Sequence, residues 1–173
     1  MPEPGFYLCL NLIGGGLGAL DKLDGSVLND KDGAIVITES GTYTYFLDND
    51  SGAAENSPFV ISPNNNAGNK RWILKSSDVK ETVTVGSPTL SLLGVTKLDS
   101  SGGAITGTLA DGAVIGGIKT IIMTDATTSS TITVAHHVTS DPEVFTFAQV
   151  GDTLILVWNG TDWLEVHNTG AAV

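Results

Sequence analysis

Apolar and polar residues alternate along most of this chain with the period of two that strands require, and Gly-, Asn- and Asp-rich punctuation cuts the alternation into short pieces. The strongest piece is 151–166, where two apolar runs flank Asn159-Gly160. Asn-Gly tolerates the positive φ of tight hairpin turns, so this stretch predicts antiparallel strands. Whether the turn takes two residues or four, parity places Ile155, Val157, Leu164 and Val166 on one face, which is expected to be the core face. The opposite face carries Leu154, Leu156, Trp158, Trp163, Glu165 and His167. It is too apolar for free solvation, so either a neighbouring subunit or an opposing sheet should cover it.

The same reading applies upstream. Residues 1–5 contain two prolines and suggest an extended arm. Phe6 to Ile13 predicts a strand with Tyr7, Cys9 and Asn11 on one face and Phe6, Leu8, Leu10 and Leu12 on the other. Further strands are expected at 34–38, 42–47 (Tyr43, Tyr45 and Leu47 sharing a face), 59–62 and 70–75. In the second half they are expected at 104–109, 113–115, 119–124, 131–136 and 144–147. Ser76-Ser77-Asp78 marks a boundary. Residues 1–78 read as an N-terminal β domain with its arm, 79–91 as a linker with one short alternating stretch, 82–85, and 92–173 as a C-terminal β domain with a frayed tail from Asn168. The expected class is all-β: two small antiparallel sandwich or barrel-like domains.

Composition reinforces the strands. Twenty threonines, fourteen serines and 21 glycines in 173 residues suit pleated surfaces and turns better than helices. The net charge of -11 repels polyphosphate and anionic membranes, so neither nucleic acid nor membrane is an expected partner. The apolar run 6–13 lacks a basic leader and falls far short of the roughly 20 residues of a spanning helix. With one cysteine and no targeting segment, synthesis in a cytoplasm is expected. Cys9 has no cationic neighbour to activate it and reads as a small buried hydrophobe.

Candidate chemistry is sparse. Gly14-Gly15-Gly16-Leu17-Gly18 follows a strand, but Ala19 stands where a dinucleotide fingerprint needs glycine, and turn residues follow in place of a helix. Asp48-Asn-Asp-Ser-Gly52 opens like a calcium loop, yet its glycine is misplaced and no late Glu completes it. His136 and His137 would point to opposite faces of a regular strand and so cannot chelate one ion together. No Gly-x-Ser-x-Gly elbow fixes a nucleophile. Lys70-Arg71, the adjacent basic pair, suggests either an anion site or a charged strand edge. No catalytic residue, cofactor or metal ligand is expected.

Several stretches resemble auxiliary virion proteins of tailed bacteriophages: 7–21 with Asp24-Gly25, Tyr43-Thr-Tyr-Phe-Leu47, Ser51-Gly-Ala-Ala-Glu55, Pro58-Phe-Val-Ile-Ser-Pro63 closing on Arg71-Trp72, and 151–163. The resemblance implies a β-rich homotrimer, located in the virion and assembled in the host cytoplasm. The chain lacks a coiled-coil heptad or a repetitive shaft and is short for a β-helical depolymerase. It therefore implies a structural capsid decoration (cement) protein that binds the head exterior, with copies of itself and the major capsid protein or another virion protein as partners. The alternative is a head- or tail-fibre protein binding a host-surface glycan, with Trp163, Tyr43 or Tyr45 stacking on sugar faces. Candidate subunit or capsid contacts are Phe6, Tyr7, Trp158, Trp163, His167, Lys70 and Arg71.

Overall fold

The computed structural model describes residues 4–66 and 68–170. The described residues contain thirteen strands and two short 3-10 helices, and the protein is all-β. Two compact units divide between Val79 and Lys80.

In the first unit, β1 (Phe6–Cys9), β2 (Gly33–Thr38), β3 (Gly41–Asp48), β4 (Val60–Ile61) and β5 (Arg71–Ser77) form one sheet in the order β1-β2-β3-β5-β4. All neighbours are antiparallel except β1 and β2, which are parallel. A parallel neighbour cannot be reached through a tight hairpin, so residues 10–32 form a long crossover. That crossover places Ala19, Leu20 (in the 3-10 turn Leu20–Lys22) and Leu28 in the core with Cys9, Val36, Tyr43, Tyr45, Leu47, Trp72 and Leu74. Asp32, fully buried, fastens the end of the crossover to the chain entering β1: its carboxylate accepts from the amides of Asn29 (2.9 Å) and Gly5 (2.6 Å). Only one face of this sheet is covered. Phe6, Leu8 and Ile37 point away from the core and are exposed.

The second unit is closed on both sides. Its strands are β6 (Lys80–Val83), β7 (Gly94–Asp99), β8 (Thr106–Leu109), β9 (Ile118–Asp125), β10 (Ser130–Val134), β11 (Glu143–Phe147), β12 (Thr153–Trp158) and β13 (Trp163–Thr169). The chain alternates between two sheets. β6, β7 and β9 stack in parallel in one, while β8 and β10 stack in parallel in the other, extended by bridges from Gly86 and Thr89. Successive turns of chain therefore coil as in a short β-solenoid. After β10 the chain reverses, and β11 and β12 add antiparallel strands to the two sheets before β13 closes the second. One cluster fills the space between the sheets: Leu98, Ile121, Met123, Leu154 and Leu156 from one side, and Ile105, Leu109, Ile132, Phe145 and Phe147 from the other.

The all-β expectation therefore holds, whereas the purely antiparallel pairing does not. The segment 79–91, read as a linker, contributes β6 and the buried Leu90. β7 lies where no strand was expected, and 113–115 is a loop with Ile115 exposed. Asn168 and Thr169, read as frayed, pair with Leu154 and Thr153, while 171–173 and 1–3 of the arm lie outside the described residues.

The largest difference concerns the last hairpin. Its core face carries Leu154, Leu156, Trp158 and Trp163, all buried, and Val166 is 63% exposed. The opposing sheet covers the face that the sequence left in need of a cover. A bulge explains why parity failed to carry through. Ile155 faces His167 but Leu156 faces Glu165, so Val166 is an extra residue without a partner. The turn takes four residues: Asn159 donates its amide to Asp162 O (3.0 Å), and its side-chain oxygen accepts from the amides of Thr161 and Asp162.

Candidate functional site

Polar groups gather in two places in the second unit. The first is the interior end of the coils. Gly94 has no side chain opposite Lys119, and Lys119, fully buried, donates to Glu81 Oε1 (3.1 Å) and Ser91 Oγ (3.0 Å). Glu81 also accepts from the Ser91 amide and the Thr96 hydroxyl. Burial by itself would raise the Glu81 carboxyl, but hydrogen bonds from Thr96 and the Lys119 ammonium outweigh it and hold the pKa below the ordinary value. Burial lowers that of Lys119, and Glu81 offsets part of the shift. A Ser-Lys pair at 3.0 Å invites a nucleophile reading, yet Lys119 also lies 3.1 Å from the Glu81 carboxylate, which favours its charged form. Lys119 donates to Ser91 and Glu81, and the Ser91 hydroxyl donates to Leu93 O (3.1 Å), the arrangement of a charged lysine held by a carboxylate. The cluster is a satisfied ion pair that closes the end of a core.

The second place surrounds the adjacent histidines. His137 is buried and pairs through Nδ1 with Glu143, while Thr139 bridges the two. His136 is exposed and binds Asp111 (2.5 Å), with Asp141 3.6 Å from its other nitrogen. The hydrogen bond it donates to Asp111 and the charges of Asp111, Asp141 and Asp162 raise its pKa. The two rings take different partners, and among the described residues no group of three or more His, Cys, Asp or Glu is placed to hold a metal.

The first unit presents a different surface. β1 and the loop behind it expose Phe6 (68%), Leu8 (66%), Leu10 (62%) and Leu17 (96%), with Ile13 and Ile37 about half exposed. Gly14, Gly15 and Gly16 all have positive φ, and the amide of Leu10 bonds Gly18 O (2.9 Å), so the glycines form a tight projecting tip with Leu17 on it. Beside the tip, Leu10, Asn11, Ile37, Thr38, Glu39 and Ser40 line an open cleft of about 700 Å³. Nothing here resembles a phosphate cradle followed by a helix.

Of the sequence-predicted contact residues, Phe6 belongs to this surface. Tyr7 turns inward onto Trp72, with ring centroids 6.0 Å apart. Trp158 and Trp163 are buried in the core of their own unit, Trp163 donating to Ala110 O (2.9 Å), and are not presented to a neighbour. Trp158 lies against Gly112, where a Cβ would overlap the indole. His167 is exposed at the end of β13 and bonds Thr169. Lys70 and Arg71 form neither an anion site nor a strand edge. Lys70 donates to Gly25 O and Leu28 O, Arg71 to Ala53 O and Lys70 O, and β5 lies inside the sheet between β3 and β4. Cys9 is buried, and burial pushes its thiol pKa up. The 48–52 loop is a turn closed by the Asp50 amide on Asp48. Leu17 escaped the sequence reading because a lone leucine between glycines has no periodicity; its signal was the absence of any charge from residue 4 to residue 20.

Compared with known proteins, the chain matches no family model, and no curated protein matches it.

Proposed function

We propose that the protein is a structural component of a tailed-phage virion, a capsid decoration protein that binds the exterior of the head as a homotrimer and reinforces the shell. Its two units serve as separate domains of one assembly module. The bare apolar surface of the first unit carries this reading: contiguous large hydrophobes left outside in a chain of net charge -11 suit a surface that is buried in service. The charged groups support it from the other direction. Lys70, Arg71, Lys119 and Asp32 are engaged with the protein's own backbone and core.

The test mixes purified protein with undecorated capsids and follows both stoichiometry and heat resistance. Saturable binding with a higher disruption temperature is expected. Binding without that gain, or no binding, removes the cement role. The glycan-binding alternative rested on Tyr43, Tyr45 and Trp163 as sugar platforms, and all three are buried, so no observation favours it.

A further inference from the structure

We propose that the exposed corner formed by β1, the Gly14–Gly18 tip and the end of β2 is the surface through which copies of this chain assemble, each copy inserting its Leu17 tip into another copy's cleft. This deepens the assembly reading by naming the occupant of its apolar surface.

The state of the sheet edges is the first reason. An unpaired strand edge invites pairing with another chain unless it is blunted by charge, proline, a bulge or brevity. β4 is two residues long, and Pro63 follows closely. β6 carries Lys80 and Glu81. β13 carries Glu165, His167 and the Val166 bulge. β11 begins on Glu143 directly after Asp141-Pro142. The open side of β8 is bridged by Gly86 and Thr89. β1 is also short and follows Pro4-Gly5, but it carries no charge and no bulge, and it is the edge strand that exposes two large hydrophobes, Phe6 and Leu8.

Charge identifies the kind of partner. The corner holds no charged residue on 5–20 or on β2; its nearest charges are Glu39 at the rim of the cleft and the Asp21–Lys22 pair, whose carboxylate accepts from the Gly14 amide at the base of the tip. A basic partner would find no acidic patch there and an acidic partner no basic one. For an acidic chain, a contact with few charges, one of its carboxylates already paired with Lys22, is also where two copies can meet with least repulsion. The six exposed hydrophobes of another copy offer the same apolar surface, and the cleft beside them presents Leu10 and Ile37 together with Asn11, Thr38, Glu39 and Ser40.

Shape and area point to a copy as well. The knob, Leu17, and the hole, lined by Leu10 and Ile37 to Ser40, lie side by side on one corner, with the base of the knob tied to Leu10. Another molecule must therefore supply the knob that fills the hole. With large apolar side chains taken at roughly 150–200 Å² each, the six exposed hydrophobes amount to about 700 Å² per chain, near the ~800 Å² per partner of a stable interface.

Light scattering and sedimentation of the full-length protein between 1 and 100 µM test this without capsids, so failure of the capsid experiment and failure of self-assembly are separate results. Wild type is expected at a whole multiple of 17.9 kDa. Leu8→Lys and Leu17→Asp should each weaken association at least 100-fold and give single chains with an unchanged circular dichroism spectrum. Val166→Lys, on an exposed position of β13, should leave assembly intact. A monomeric wild type at 100 µM, or assembly unaffected by both corner substitutions, overturns the proposal. If a corner variant fails to fold, hydrogen exchange of wild type decides instead. Protection of the 6–10 amides should rise with protein concentration, and exchange independent of concentration overturns the proposal equally.

Discussion

The two units are built from the same strand-and-turn composition and differ in which large apolar residues they leave outside: a phenylalanine and three leucines in the first, only valines and isoleucines in the second. The first has one sheet, a core on one side of it and bare hydrophobes on the other. The second has two sheets that face each other and take their tryptophans and phenylalanines inside, Trp158 and Trp163 included, while seven valines and isoleucines, Ile115 and Val150 among them, stay exposed. The difference lies in the partner each sheet finds. A coiled chain returns to cover its own inner face, whereas the crossover at 10–32 covers one face of a five-stranded sheet and has no length left for the other. Burial of apolar surface is the dominant favourable contribution to folding, so an uncovered face signals either a site of contact or a liability.

The contrast can be broken by substitution, beginning with the largest effect. Trp163→Ala should lower stability by about 3–5 kcal/mol, because it opens a cavity and orphans the Ala110 carbonyl. Leu17→Ala, a change of comparable hydrophobic character, should stay within about 0.5 kcal/mol when measured on single chains, below the concentration at which copies assemble. Urea unfolding of both variants measures the ratio, and similar costs would mean that the two units do not differ as described. Lys119→Met should cost about 2–4 kcal/mol, since Glu81 would keep a partly buried charge without its partner. The double variant Lys119→Met with Glu81→Leu should recover much of that loss, a result that a simple packing defect would not give.

Gly160→Ala should cost about 1–2 kcal/mol, because Gly160 sits at φ +110 and a Cβ would press on Ile115. The shift in the urea midpoint at constant slope checks this. The smallest effect is pH-dependent. The folded pKa of His136 is raised, so its stabilising contribution is complete below the unfolded value of about 6.5 and is lost as pH rises through the folded value. The difference in Tm between wild type and His136→Gln should therefore be greatest near pH 5 and shrink toward pH 9. A difference that grows with pH would contradict the Asp111 pairing.

Much of the strand content was legible because alternation is local. The Tyr43, Tyr45 and Leu47 face, the inward Tyr7 and Cys9, and the Asn159-Gly160 turn all follow from side chains that reverse every residue. β7 was missed because Gly94-Val-Thr-Lys-Leu-Asp99 alternates only weakly, its inward Thr96 serving Glu81 in place of a hydrophobic contact. The candidate site was half legible. Phe6 was named from the arm, but Leu17 and the cleft beside it arise where residues 10–18 fold back against the β2–β3 turn.

The sequence by itself determined that this protein is all-β, where most of its strands lie, and that one hairpin closes it. Which face of that hairpin is core was decided only by tertiary structure. Both faces are apolar, so local pattern could not choose. The choice fell to the opposing sheet, set by residues distant in the chain, while the bulge at Val166 shifts only the His167 end of β13. The same holds for the parallel pairing of the coils and for the bare corner of β1. Each depends on which strand becomes whose neighbour, and that is a property of the whole chain.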